Sequence, residues 1–343
     1  MRRLLNTLFV TTQGAYLRKE GETVVVMVEK KPRIRLPVLT LGGIVCFGRV
    51  SCSPALLGFC ASRGVGISFL SERGRFLARV LGATTGNVRL RREQYRRSED
   101  PSRAAEIARA FVLAKAANCR TSLMRALRDH PETQGGAEIR LAVSGIETRL
   151  AEIQREVDLD SLRGIEGQTA HQYFAVTGHL ILAQRDEFSF HGRNRRPPRD
   201  NFNALLSFIY TLMLHDIRSA LEAVGLDPAV GFLHRDRPGR PSLALDLMEE
   251  FRPWLADRLA LSLVNLRQVQ GGGFRRTESG GVTMDDETRK TVVTTFQKRK
   301  QDEIFHPFLE EQMPIGMLFF AQALLLARFL RHDLDGYPPF FWK

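Results

Sequence analysis

The first 80 residues alternate short β-prone runs with turn-forming residues. One helical stretch interrupts them, in which Ser53 is suited to cap a helix that begins at Pro54 and continues to Gly64. Residues 71–74 have the composition of a hairpin turn. The β-prone runs are residues 4–10, 23–28, 33–38, 41–46, 66–70 and 75–80. This pattern predicts a small β-rich N-terminal domain over residues 1–85.

From residue 102 onward the apolar positions recur with the 3.6-residue period of α-helices. The preceding stretch, 86–101, carries many charges and few apolar residues, so we interpret it as a linker. The helical stretches are residues 105–128, 137–157, 159–182, 201–224, 243–266, 284–300 and 314–332. The predicted fold class is therefore α+β, with the small β-rich domain followed by a larger all-α domain over residues 102–343.

The charge of the chain favours a polyanionic partner. The 343 residues carry a formal net charge of +12 at pH 7, and only eight of the 50 basic residues are lysines, which leaves 42 arginines. The planar guanidinium group matches phosphate oxygens bidentately. Ordinary surface arginines would give the same net charge, so this inference needs support from a site.

Cysteine spacing and hydropathy bound the cellular setting. The four cysteines form no C-x-x-C pair, so neither a zinc ribbon nor a disulfide framework is indicated. The most apolar stretch, residues 315–327, is shorter than the roughly 20 residues that a membrane-spanning helix needs. We expect no membrane segment and a reducing, cytoplasmic location.

Glu166 lies between Gly164 and Gly167 inside a helical pattern. Each glycine costs a helix roughly 1 kcal/mol relative to alanine, so another constraint must favour them. Close approach of another backbone or of a ligand would do so and would place Glu166 at a crowded position. Glu166 as a surface acid beside two helix-packing glycines is the alternative.

His234 precedes a helix whose first two turns carry Asp246 and Glu249. On a helical wheel these acids lie opposite the apolar arc, which exposure to solvent would explain equally well. An imidazole beside carboxylates also suits Mn²⁺ or Mg²⁺. Together with Glu166, these residues predict a candidate metal site across two helices.

A basic loop precedes the helical stretch 201–224. It holds four arginines stiffened by Pro197 and Pro198, and this composition is typical of a segment that contacts phosphates, although most charge runs are solvated loops. The four candidates are Arg193, Arg195, Arg196 and Arg199.

Three segments together resemble one protein family. They are GIEGQTAHQYF at 164–174, RRPPRDNFNALLS at 195–207 and GFLHRDRPGRPSLALDLMEEFRP at 231–253. They are similar to the CRISPR-associated endonuclease family Cas1, the integrase that inserts new spacers. Further similarity extends over nearly the whole chain, including the spacing of Lys115, Asn118 and Arg120. The sequences of the histidine segment and of the tail at 337–340 resemble those of the Cas1 branch found in type I-C systems.

The resemblance implies an N-terminal domain that forms a homodimer and a C-terminal catalytic domain. It implies a metal-dependent DNA endonuclease and integrase, which joins the 3′-hydroxyl ends of a prespacer to the CRISPR repeat by transesterification. The implied partners are double-stranded DNA (prespacer and repeat) and the small protein Cas2. The implied cofactor is Mg²⁺ or Mn²⁺.

The resemblance also implies roles for individual residues. Glu166, His234 and Glu249 match the family's metal ligands, with Asp246 as an alternate ligand or an outer partner of the site. A metal is needed because the charge of a phosphodiester repels an anionic nucleophile. The four arginines of the basic loop would hold the DNA backbone.

Two other functions remain compatible with the sequence. A non-catalytic basic DNA-binding subunit would bind DNA without metal and with an affinity that falls steeply in salt. A structural helical scaffold would leave the acids and His234 solvated. All three ligand positions being filled argues against both alternatives.

Overall fold

Two four-stranded sheets form the N-terminal part of the computed structural model, which describes residues 7–71, 76–82, 88–155 and 158–343. The predicted hairpin turn lies almost entirely outside these residues, as does the start of the first predicted strand. The sequence pattern missed the strands at 16–20 and 51–52. The strands of this part are β1 (Thr7–Val10), β2 (Tyr16–Glu20), β3 (Thr23–Val28), β4 (Lys31–Pro37), β5 (Gly43–Phe47), β6 (Ser51–Cys52), β7 (Gly66–Leu70) and β8 (Phe76–Val80).

The two sheets have different topologies. The first has the order β1-β5-β7-β8, with parallel pairs except β7 and β8, whereas the second has the order β4-β3-β2-β6. Alternation along β5 gives the first sheet two buried faces. Ile44 and Cys46 belong to the N-terminal core, while Val45 and Phe47 join the core of the helical part, where Phe47 lies 5.8 Å from the ring of Phe208. The sheet is thus packed directly against the helices.

Helix α1 (Pro54–Ser62) confirms the predicted capping arrangement. The side chain of Ser53 accepts a hydrogen bond from the backbone N–H of Leu56 at 3.2 Å, and Pro54 occupies the first helical position.

The larger part of the chain is helical, which confirms the predicted fold class, and it also contains two short hairpins that the periodicity did not predict. None of the described helices is long and apolar enough to cross a membrane. The helices are α2 (Val88–Glu99), α3 (Pro101–Asp129), α4 (Gly136–Ile153), α5 (Leu159–Thr177), α6 (Asn201–Val224), α7 (Ser242–Met248), α8 (Arg258–Asn265), α9 (Asp286–Arg299) and α10 (Ile315–Leu330), and the hairpins pair β9 (Phe274–Arg276) with β10 (Val282–Met284) and β11 (Glu303–His306) with β12 (Glu311–Pro314).

The segment interpreted as a linker contains helix α2, and this is a correction to that interpretation. Leu90, Gln94 and Arg97 are buried on one face of α2, which packs against α3 and α10. The sequence pattern did not indicate this helix, because most of its residues are charged and its narrow buried face includes two polar side chains. The domain limits drawn from the sequence stay a prediction.

The predicted helix 243–266 is interrupted. Helix α7 ends at Met248, a π-helical turn covers Arg252–Asp257, and α8 follows. Pro253 explains the interruption, because proline lacks an N–H and its ring collides with the carbonyl four residues earlier. That residue is Glu249, so the irregular backbone falls at a candidate ligand.

A polar contact region joins β8 to α6. The guanidinium of Arg79 lies 2.6 Å from the Glu222 carboxylate and donates to the Ser219 hydroxyl at 3.0 Å. His215, on the same helix, is buried. Burial, helped by the positive charges of Arg79 and Arg218, lowers the pKa of His215 to about 3 from an ordinary 6.5.

The lowered pKa of His215 predicts a loss of stability in acid. Between about pH 6.5 and 3 the unfolded chain binds a proton at this position that the folded chain excludes, so the free energy of unfolding falls as the pH falls, by up to about 1.4 kcal/mol per pH unit. We expect His215→Gln to remove this slope, measured by urea unfolding at pH 4 to 7. The exposed His130→Gln serves as the control, and equal slopes in the two variants would contradict the prediction.

Candidate active site

Glu166 lies on α5 with its side chain 24% exposed. The glycines on either side of it have open space where a Cβ would stand, so no other element among the described residues approaches them closely. That part of the expectation is wrong. The open surface beside Gly164 and Gly167 instead leaves room for a ligand next to Glu166.

His234 ends a tight loop that Asp246 organises from α7. One Asp246 oxygen accepts from the backbone N–H groups of Phe232 and Leu233 at 2.6 and 3.0 Å. The other lies 2.9 Å from the backbone nitrogen of His234 and 2.6 Å from its Nδ1. With Asp246 accepting the Nδ1 proton, the neutral form of the imidazole carries its lone pair on Nε2. Asp246 is 0% exposed, and its contacts with the backbone nitrogen and Nδ1 of His234 fix the orientation of the imidazole.

Gly231 allows this close approach. A Cβ at Gly231 would lie 2.7 Å from Oδ2 of Asp246 and 2.8 Å from the backbone of Ser242. Only glycine therefore fits where the loop crosses α7.

Helix α2 holds the other end of the same loop. The buried side chain of Gln94 donates to the carbonyl oxygens of Asp227 and Val230 at 2.8 Å each and accepts from the N–H of Asp227 at 2.9 Å. The segment interpreted as a linker therefore positions the residues that lead into His234.

Glu249 is buried among positive charges. Its Oε2 lies 2.7 Å from Nζ of Lys115, Oε1 pairs with Arg252, and Nε2 of His234 is 3.9 Å from Oε1. Burial alone would raise the pKa of Glu249, but the cations Arg252 and Lys115 outweigh it and hold the pKa below its ordinary range. The carboxylate of Glu249 is thus ionised. The alternative that Asp246 and Glu249 are solvent-exposed is wrong, because the two residues are 0% and 1% exposed.

Lys115, on α3, joins Glu249 to Glu166. Its ammonium forms ion pairs with both carboxylates. Burial works against the charge of Lys115, but the two carboxylates outweigh it and raise its pKa. Lys115 thus links Glu166 to Glu249, and His234 approaches the pair through Glu249, whose Oε1 lies 3.9 Å from Nε2 of His234.

The donor set fits a hard divalent cation. Two carboxylates and a neutral imidazole are ligands that Mg²⁺ and Mn²⁺ accept. Although Lys115 stands 2.7 Å from Oε2 of Glu249, their alignment is poor, and this buried oxygen accepts no hydrogen bond from any described residue. Over the described ranges, no three His, Cys, Asp or Glu side chains stand close enough together to hold a metal as they are. The ammonium group stands between the carboxylates instead.

The four arginines of the basic loop divide into two groups. Arg195, Arg196 and Arg199 are exposed. Arg193 turns inward, where its guanidinium donates to Oδ1 of Asn203 at 2.6 Å and to the hydroxyl of Ser207 at 3.0 Å. Arg193 therefore fixes the loop to α6.

Two further arginines, the exposed Arg237 and the half-buried Arg240, lie near the exposed group. Burial lowers the pKa of Arg240, and the nearby positive charges of Arg237, Arg195 and Arg196 lower it further. We call Arg195, Arg196, Arg237 and Arg240 the basic surface.

Sequence reasoning did not assign a role to three groups of residues. Arg252 had a signal, since it lies three positions after Glu249 and can pair with it along a helix. The charges of Arg237 and Arg240 were visible, but their proximity to the basic loop was not. Lys115 appeared only in the family-like spacing with Asn118 and Arg120, which gave it no role, and Gln94 carried no local signal, because the partners of both are distant in sequence.

A family model described as "CRISPR associated protein Cas1" matches residues 8–298. The CRISPR-associated endonuclease Cas1 1 of Chlorobaculum tepidum is 53% identical over 343 residues, covering 100% of both chains. The endonuclease Cas1 2 of Rhodospirillum rubrum is 53% identical over 348 residues, again covering 100% of each. The endonuclease Cas1 1 of Moorella thermoacetica is 43% identical over the full length of both chains.

Solved structures share the fold. A casposase bound to integration product superposes with a TM-score of 0.84 at 22% identity, covering 98% of this chain and 94% of that one. A CAS1 protein from Thermotoga maritima gives a TM-score of 0.79 at 23% identity, covering 95% and 96%. A Cas6-RT-Cas1–Cas2 complex gives 0.83 at 20% identity, covering 99% of this chain and 36% of that chain.

Removing the carboxylate of Asp246 should release the histidine loop. Asp246→Ala leaves three backbone N–H groups without their acceptor, so we expect the free energy of unfolding to fall by about 3 kcal/mol or more. Asp236→Ala, an exposed acid of the neighbouring loop, should change it by less than about 0.5 kcal/mol. Urea unfolding measures both, and a similar small effect of the two substitutions would contradict the assigned role.

Proposed function

This chain belongs to the Cas1 family of CRISPR-associated proteins, and we propose that it is a metal-dependent DNA endonuclease and integrase. Its reaction would join the 3′-hydroxyl ends of prespacer DNA to the CRISPR repeat by transesterification and would cleave DNA phosphodiesters. The observation that carries the proposal is that Lys115 links Glu166 to Glu249 while Nε2 of His234 lies 3.9 Å from Glu249. Full-length relatives named as endonucleases support it.

Glu166, His234 and Glu249 are the residues that would hold Mg²⁺ or Mn²⁺. When bound, such a cation neutralises the phosphodiester charge and favours ionisation of the attacking hydroxyl. Asp246 keeps the imidazole in the orientation that directs Nε2 toward Glu249. Arg252 helps to keep Glu249 ionised, so that no proton needs to be removed before a cation binds.

Two parts of the protein surface would contact the DNA. The open side of α5 beside Gly164 and Gly167 would admit a backbone next to Glu166. The basic surface would neutralise phosphates without reading sequence. The exposed Arg199 would add to it, whereas Arg193 would act by holding the loop in place.

We further propose that the protein works as a homodimer through its N-terminal sheets and assembles with Cas2 on double-stranded DNA. A structurally similar complex contains Cas1 and Cas2, and a structurally similar casposase is bound to an integration product. Membership of the type I-C branch and a cytoplasmic location stay predictions.

Removing any of the three proposed ligands should abolish the chemistry but not DNA binding. We expect Glu166→Ala, His234→Ala and Glu249→Ala each to lower strand transfer by about 100-fold or more, because the cation would lose a ligand. The assay joins a labelled 3′-hydroxyl DNA to a repeat-bearing plasmid with Cas2 added, in Mn²⁺ and in EDTA. DNA affinity is measured alongside by fluorescence anisotropy.

The exposed Glu138→Ala is the matched control and should retain wild-type activity. Wild-type activity in any of the three ligand variants would remove that residue from the site. DNA binding with no cutting or joining in any metal would instead favour a non-catalytic DNA-binding subunit.

Arginines of the basic surface should set the salt dependence of DNA binding. We expect the double substitution Arg195→Ala with Arg196→Ala to weaken DNA binding and to reduce the slope of log affinity against log salt by about 1 to 2. The exposed pair Arg18→Ala with Arg128→Ala removes the same charge elsewhere and should leave the slope nearly unchanged. Equal slopes in the two double variants would refute a local role for this surface.

A further inference from the structure

An ammonium group occupies the interior of the candidate active site. Lys115 is 5% exposed, and its Nζ pairs with Oε1 of Glu166 and, at 2.7 Å, with Oε2 of Glu249. These carboxylates come from separate parts of the chain, α5 and the segment after α7, and Lys115 bridges them from α3. The ammonium therefore stands where two proposed ligands would share a cation.

Within the ion-pair cluster around Lys115, the formal charges balance. Glu166 and Glu249 contribute two negative charges, while Lys115 and Arg252 contribute two positive charges in direct contact with them. A buried carboxylate without a counter-charge is strongly destabilising, so this pairing stabilises the protein before any metal binds. A divalent cation entering the same space would meet the repulsion of an ammonium group at short range.

We propose that Lys115 is an internal counter-ion that competes with the divalent cation for Glu166 and Glu249. The metal would then bind only as the ammonium withdraws from at least one carboxylate. This inference rests on the proposed function, since it takes these carboxylates as metal ligands. Its consequence is that the protein alone binds metal weakly, and that the negative charge of DNA phosphates strengthens metal binding.

The test measures metal binding without DNA and without activity. Free Mn²⁺ is quantified by electron paramagnetic resonance during titration of wild type, Lys115→Met and Lys115→Gln. We expect both variants to bind Mn²⁺ at least about tenfold more tightly than wild type, because a unit positive charge has left the site. Without metal, both should melt at a lower temperature, and Mn²⁺ should restore more of the loss than it adds to wild type.

Lys300→Met is the matched control. Lys300 is also buried, at 2% exposure, and its Nζ lies 2.7 Å from an Asp216 carboxylate oxygen, but it contacts neither proposed ligand. We expect this variant to lose stability while keeping the Mn²⁺ affinity of wild type. An affinity that is unchanged or weaker in the Lys115 variants, with measurable binding by wild type, overturns the counter-ion role and leaves the proposed function intact. Absence of Mn²⁺ binding in every protein overturns the proposed metal dependence and this inference with it.

A measurement on wild type keeps the proposal falsifiable if the Lys115 variants fail to fold. The chain has only eight lysines, so selective ¹³Cε labelling gives a simple NMR spectrum. Diamagnetic Mg²⁺ should shift the Lys115 signal as the ammonium leaves a carboxylate, while the Lys300 signal stays in place. A Lys115 signal that is unmoved at Mg²⁺ saturation overturns the proposal.

Discussion

A carboxylate removed from water must find hydrogen-bond donors or a counter-charge, and one short stretch of this chain places four carboxylates in that position. Each is satisfied by a different part of the molecule. The histidine loop donates to Asp246, and Lys115 and Arg252 neutralise Glu249. The C-terminal segment donates to Glu250, and Tyr210 donates to Asp257 at 2.6 Å. The four acids are Asp246, Glu249, Glu250 and Asp257, all at most 1% exposed.

The need of these buried carboxylates for donors and counter-charges explains why distant segments converge on the residues after α7. Glu250 accepts from the N–H of Phe340 at 2.8 Å and from the amide of Gln322 at 2.7 Å. Burial raises the pKa of Glu250 to about 8 in spite of these donors. Asn118 completes the connection, because its side chain bonds to the backbone of Glu250, Phe340 and Trp342. The helical core therefore closes around buried polar groups as well as around apolar ones.

The sequence predicts the fold class and most helices because those depend on local periodicity. It correctly places α6 at 201–224, where an aspartate cap and a terminal glycine mark both ends. It fails where a helix has a mixed buried face, as in α2, or where a helical wheel treats acids as solvated, as after α7. Resemblance to the family could suggest Glu166, His234 and Glu249, but no local pattern could reveal the roles of Lys115 and Gln94, since their contacts depend on tertiary structure.

Helix α6 connects the basic loop to the N-terminal sheet in one uninterrupted element. Its 24 residues span roughly 36 Å, from the capping Asp200 beside the arginines to Glu222 beside Arg79. The separation between the basic loop and the N-terminal sheet is thus a fixed length, set by the number of residues in one helix.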